Sequence, residues 1–432
     1  MTLDADPDRQ PTAPGSGFAR FAWILLDWAG SAFSTVLITL VVAYVEKVVF
    51  PGGGWGVPAG VIWAWTLAAA MLASAGLAPW AAAWADRRHA HQRALIASTV
   101  LGAGGLVALA VAPPIARPVV VAAIVVAAVG FDLAQVFTGS LLPRVAGSRD
   151  TDRLSAWGFA AGYAGGAIAL IAATALVAAH DRLGLTAAGG LRLAFGVTAL
   201  WWLAFSIPAA VARFGDGVGH HHEASSGREL VEFARSLARP TASDVSPRLG
   251  VVLLGSMLAL GAVQTAIAQF SSLALERFDL DGPALVRLVL LVQAVALPGA
   301  LGVGWISTRY GRSPAAAACL GGWIAVLVLA WFIRTAPQLY ALAALLALVL
   351  GGIQSVIRAS VAALAPQGRA GVTFGLMQVG TKLAGFAASL AFGGVQLATG
   401  DPRAGLIALL VQIAAGGWFL LRPTTQSQAD RP

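Results

Sequence analysis

The sequence predicts an all-α membrane protein with twelve transmembrane helices in two pseudo-symmetric six-helix bundles. Three observations carry that prediction. The 432 residues are 58% hydrophobic and 11% charged, whereas a soluble domain holds about 25% charged residues. Twelve apolar runs, bounded by Pro, Gly or charge, fall at 21–46, 58–84, 93–112, 118–142, 154–179, 190–213, 248–275, 284–307, 314–333, 337–363, 371–398 and 403–421. Each is long enough for a tilted span, since about 20 helical residues cross a bilayer. The longest hydrophilic stretch after the N-terminus, 214–247, then separates six runs from six.

The domain reading follows. Residues 1–20 form an N-terminal segment, polar and Pro-rich and expected to be disordered and cytoplasmic; it lacks the basic start and small-residue cleavage site of a secretory signal. Residues 21–213 form the first bundle, 214–247 a cytoplasmic loop, 248–421 the second bundle and 422–432 a cytoplasmic tail. The chain is strongly basic, with a net charge of +8. Its cations sit mainly in short loops, so they read as topology determinants rather than a nucleic-acid surface. Of the 28 basic residues, 18 fall on the side of the termini and 8 on the other, which predicts both termini inside the cytoplasmic membrane. The single cysteine, Cys319, lies in an apolar run and excludes a disulfide framework. No cofactor or metal is expected. The tract His220, His221 and His222 reads as a solvated loop, and all six histidines lie outside the apolar runs. Trp23, Trp55, Trp80, Trp201, Trp202 and Trp418 near run ends read as interfacial anchors.

In chain order, the first run places Asp27, Ser31, Thr35 and Thr39 four residues apart, on one face of a helix. A charge facing lipid costs at least about 3 kcal/mol, so that stripe must turn toward protein or water. Asp27 is read as a proton, substrate or gating site, or as the partner of a loop arginine. Asp132 lies near the middle of run four, with Gln135 and Gly139 on its face. A carboxylate at that depth is a functional candidate by default; the alternative is a buried ion pair with Arg358 or Lys382 that only fixes helix packing. Gly158, Gly162 and Gly166, and likewise Gly371 and Gly375, make GxxxG units that let helices pack closely. Gln264 and Gln293 could each donate hydrogen bonds to a polar solute, but for both the favoured reading is interhelical glue, since polar side chains join membrane helices. Arg358 follows Gln354 by one turn, and its guanidinium suits a carboxylate. Lys382 follows Gln378 by one turn, about 16 Å into its run, too deep to snorkel easily. Only two of the 28 basic residues are lysines, so a lysine at that depth stands out. Asp132, Arg358 and Lys382 are expected to face one cavity in the central third of the membrane.

The halves echo one another at an offset near 220 residues. The first half has PWAAAWADRR and LLPRVAGSRDTDRLSAWGFAAGYAGG where the second has GVGWISTRYGR and LAPQGRAGVTFGLMQVGTKLAG. Two such halves match the architecture of major facilitator transporters. Gly304, Arg309, Gly311 and Arg312 resemble the loop signature of that superfamily, with Thr308 where Asp is usual. Asp86 and Arg87 match it in the first half, with Ala82 in place of the glycine. The resemblance implies that Asp86, Arg87, Arg309 and Arg312 belong to gating loops. More specifically, LLDWAGSAFSTVLIT, LAPWAAAWADR, GGIQSVIRAS and FGLMQVGTKLAG resemble the vacuolar amino-acid effluxer branch, although Thr138 and Gly139 stand where Tyr and Asn are expected. It implies amino-acid export for the eukaryotic member and a secondary transporter, not an enzyme, for this chain; the leading expectation is a monomer that moves a small polar solute such as an amino acid or short peptide, with proton-coupled efflux as one mode. An exporter of amphipathic drugs or lipids is the alternative. A membrane-embedded transferase is a distant third, because no cluster of catalytic groups appears.

Overall fold

The computed structural model describes residues 16–56, 59–147, 150–214, 247–278, 282–366, 369–399 and 403–422. Among them are twelve long helices. The first six are α1 Gly17–Val49, α2 Ala59–Arg88, α3 His91–Val111, α4 Arg117–Ala146, α5 Thr151–Ala178 and α6 Ala187–Val211. The second six are α7 Pro247–Phe278, α8 Gly282–Tyr310, α9 Arg312–Phe332, α10 Ala336–Leu364, α11 Ala370–Thr399 and α12 Gly405–Leu421. Ten helical stretches among the described residues are long and apolar enough to cross a membrane, and α12 is apolar but has only 17 residues. The chain is a multi-pass membrane protein. The central loop with its three histidines, and both tails, lie outside the described residues.

Several helices extend past their apolar runs. The first helix begins at Gly17 rather than after residue 20, because the Ser16 hydroxyl accepts the Ala19 amide and caps it. Its second part loosens into π-helical turns at Leu37–Val41 and Val45–Val49. The third helix begins at His91, two residues before its apolar run.

The two halves repeat one packing plan. In the first, α1 packs on α5 and α6, α3 on α4 and α6, and α2 on α4. In the second, α7 packs on α11 and α12, α9 on α10 and α12, and α8 on α10. A proline interrupts α2 at Pro79 and α8 at Pro298, close to the same offset. The halves meet where α2 crosses α11 and α5 crosses α8, with α4 and α10 behind them. Leu72, Val111, Leu200, Phe332 and Val411 stay exposed, as a lipid-facing surface requires.

Small residues allow the close crossings. Gly158, Gly162 and Gly166 of α5 form one face against the polar stripe of α1. A Cβ at Gly158 would collide with Asp27, at Gly162 would come within 2.7 Å of Ser31 Oγ, and at Gly166 within 2.6 Å of Thr35 Oγ1. Thus the glycine run of α5 and the four-residue polar stripe of α1 are two sides of one interface. Gln293 of α8 donates to Thr35 Oγ1 at 2.8 Å and ties that interface to the second half.

Candidate functional site

Four of the charges singled out within the apolar runs form two ion pairs, and each pair joins the halves. At the midpoint of the 30-residue helix α4, Asp132 lies 3.0 Å from Lys382 Nζ of α11. Both side chains are 13% exposed. Half-buried Gln378, one turn before Lys382, and half-buried Gln264 of α7 make no side-chain hydrogen bond among the described residues. Gln135, one turn after Asp132, lines a small cleft with Thr99, Phe131, Thr138 and Trp202. Gly139 lets Phe374 of α11 approach α4 closely, one turn beyond the cleft.

The second pair is sealed. Asp27 Oδ2 of α1 lies 2.7 Å from Arg358 Nη1 of α10. Arg358 also donates to Ser155 of α5, through Nε to the hydroxyl at 3.1 Å and Nη2 to the carbonyl at 2.9 Å. The rings of Phe159 and Trp23 flank its guanidinium at 4.1 and 4.7 Å. Ser155 further donates to the Ser355 carbonyl at 3.0 Å. This corrects two expectations. Arg358 is held by Asp27 and not by Asp132, and the partner of Asp27 is therefore a helix residue and not a loop arginine. Trp23 and Trp202 are not interfacial anchors: both are buried, and Trp23 Nε1 donates to the Thr138 carbonyl at 2.8 Å. Trp55, Trp80 and Trp418 are exposed, as anchors require. Gln354 turns its amide back to the Leu350 carbonyl.

On the side where α1 begins, two carboxylates lock the halves. Asp86, at the end of α2, accepts the Gly371 amide at 3.1 Å and the Val372 amide at 2.7 Å, two free donors of the first turn of α11. His91 Nε2 lies 3.0 Å from the same carboxylate, and His91 Nδ1 lies 3.0 Å from Ser140 Oγ of α4. At the other crossing Asp152, in the first turn of α5, takes two contacts from Arg312 Nε at 3.0 Å and one from Nη2 at 2.7 Å. Ser307 Oγ donates to Asp152 at 2.6 Å. Of the residues expected in gating loops, Asp86 and Arg312 make these contacts across the halves. Arg309 instead lies exposed over the Tyr310 ring, and Arg87 is exposed.

The second crossing explains both departures from the loop signature. Where α2 carries Ala82 and Asp86, α11 faces them with Gly375 and Gly371. Where α8 carries Gly304 and Thr308, the glycine faces Ala156, and Asp152 comes from α5. Each crossing thus sets a glycine against an alanine and carries one carboxylate, but the helices that supply them have exchanged roles. His91, Ser140, Asp152, Ser155 and Ser307 were not singled out from the sequence. Asp152 was within reach of it, through the missing acid at Thr308; the serines carry no signal distinguishable from ordinary helix contacts.

A twelve-helix bundle of two like halves, with charges paired between them at mid-depth and closed on one side, defines a major facilitator transporter rather than an enzyme. Solved structures share the fold: the transporter FucP in its outward conformation matches with TM-score 0.72 at 15% identity, over 95% of this chain and 99% of that one. A bacterial homologue of the iron transporter ferroportin in an outward-facing state matches with TM-score 0.66 at 15% identity, over 94% and 98%. The family model described as "Vacuole effluxer Atg22 like" matches residues 46–429, and the chain belongs to that family. An uncharacterised major facilitator-type transporter of Bacillus subtilis strain 168, YxiO, is 25% identical over 91% of this chain and 92% of its own length. Autophagy-related protein 22 of Cryptococcus neoformans is 26% identical over 62% of this chain, which spans about half (49%) of that protein.

Proposed function

We propose that the chain is a secondary transporter of a small solute bearing both charges, an amino acid or short peptide, and that Asp132 and Lys382 are its point of engagement. The supporting observation is the ion pair itself. One partner belongs to each half, so alternating access of the halves must strain or break it. Parting the pair leaves two charges uncompensated at mid-depth, which is costly. A zwitterion relieves both: its carboxylate replaces Asp132 beside Lys382, and its ammonium replaces Lys382 beside Asp132. The unsatisfied amides of Gln378 and Gln264 add donors and acceptors for such a solute. A proton on Asp132 releases Lys382 in the same way and is the proposed coupling ion. Arg358 and Asp27 act as a structural hinge pair, because aromatic rings and Ser155 surround them. The excess of basic residues on the termini side supports cytoplasmic termini and a cell-membrane location. On that orientation the latched face is the cytoplasmic one and the conformation is outward-facing. The family's description as a vacuole effluxer supports export.

Counterflow tests this. Purified protein in proteoliposomes loaded with mixed amino acids and dipeptides should accumulate labelled zwitterions. Lys382→Ala and Asp132→Asn should each lower the rate at least about tenfold, equivalent to about 1.4 kcal/mol in the barrier. Exchange of amphipathic drugs or lipids, with none of any zwitterion, would sink the proposal.

A further inference from the structure

The Asp86 latch contains a group that the transport cycle above does not use. His91 is 1% exposed, Asp86 8% and Ser140 0%. The imidazole stands between two partners: Nε2 toward the Asp86 carboxylate and Nδ1 toward Ser140 Oγ, each at 3.0 Å. Ser140 Oγ also lies 2.9 Å from the Phe137 carbonyl. A hydroxyl has one proton and two acceptor lone pairs. With neutral imidazole protonated at Nε2, Ser140 donates to Nδ1. With imidazolium, Nδ1 carries a proton and donates to Ser140, whose own proton turns to the Phe137 carbonyl. Rotation of one hydroxyl therefore satisfies the ring in both protonation states. The remaining charges around the ring are Arg144 at the end of α4 and His89 in the α2–α3 turn, besides Asp86.

We propose that His91, Asp86 and Ser140 form a proton-binding site whose occupancy sets how tightly the two halves are latched on the termini side. The sign follows from charge. With His91 neutral, the cluster presents a full negative charge to the positive end of α11 and to the amides of Gly371 and Val372, which lie in the other half. With His91 protonated, Asp86 pairs within its own half and the cluster presents no net charge to α11. Proton binding therefore loosens the latch and release tightens it. Burial of the ring and, to a lesser degree, Arg144 oppose proton uptake, so the site needs the carboxylate beside it. Among the described residues, the Asp152 latch is made by Arg312 and Ser307 and not by an imidazole. The inference stands without any assumption about the solute.

Spin labels on Arg88→Cys and Thr308→Cys, both exposed sites on opposite halves, report the termini-side gap in a Cys319→Ser background reconstituted in nanodiscs. The population with the longer distance should rise about three- to tenfold between pH 8 and pH 5, the range expected for losing one charge at a helix N-terminus. In His91→Gln, which keeps an amide donor beside Asp86 but binds no proton, that rise should vanish. Ser140→Ala removes the rotor that adapts to either state and should move the midpoint. If His91→Gln does not fold, the Ser140→Ala midpoint still decides. A wild-type population constant over that range, a pH response unchanged in His91→Gln, or a midpoint unchanged in Ser140→Ala would overturn the proposal.

Discussion

Asp132 and Lys382 are coupled tightly enough that single substitutions mislead. Removing one partner leaves the other charged and buried, which typically costs about 3–5 kcal/mol. Replacing both by apolar side chains of similar size is typically neutral or stabilising. Asp132→Leu with Lys382→Met should therefore melt within about 2 °C of the wild type or above it, whereas Lys382→Met alone should melt well below. The double variant should nevertheless show no counterflow. Full transport in it would make the pair a packing device and remove it from the pathway. Arg358 differs in kind. A guanidinium held by Asp27, two atoms of Ser155 and two rings uses geometry that an ammonium lacks. Arg358→Lys should destabilise by about 2 kcal/mol, measured by thermal unfolding in detergent.

At the scale of elements, the glycine faces of α5 and α11 have distinct tasks although both read as GxxxG. The α5 face admits the polar stripe of α1 within one half. Gly158→Ala pushes a methyl group between Asp27, Arg358 and Trp23, and overpacking of this kind costs about 1–3 kcal/mol. Its signature should be lowered thermal stability. On α11, Gly371 and Gly375 face the opposite half. A Cβ at Gly371 would come within 2.8 Å of the Asp86 carboxylate, and one at Gly375 within 3.1 Å of Ala82. Gly371→Ala should therefore open the termini side more than Gly375→Ala, read as faster alkylation of a cysteine placed at the crossing. Equal rates would mean that Asp86 does not hold α11.

For the whole molecule, two latches of different chemistry close one side. Asp152 with Arg312 and Ser307 is, among the described residues, a charge pair without a histidine; Asp86 with α11 is a carboxylate on a helix end. Asp152→Asn should shift the population toward the open termini side at every pH by about three- to tenfold, since a charge-assisted bond of this sort is worth roughly 1.5–3 kcal/mol before solvent screening. Spin-label distances across the gap measure that shift. No change would place the closure in apolar packing of α5 on α8 instead.

Composition and run length alone determined the number of helices, their grouping into two halves and the depth of Asp132 and Lys382. Those properties are local: about 20 apolar residues must be helical in a bilayer wherever they lie. The same local reading marked Asp27 and the α5 glycines, but could not tell that they face each other, because a helical stripe names a face and not its neighbour. Only the tertiary structure decided that Arg358 belongs to Asp27 while Lys382 belongs to Asp132. Which cation meets which carboxylate depends on how the halves are set against one another, and two cations and two carboxylates within the runs allow more than one pairing. The exchange of glycine and acid between the two crossings was half-visible at Ala82 and Thr308. Its completion by Asp152 rests on contacts more than 150 residues apart in the chain, which no periodicity records.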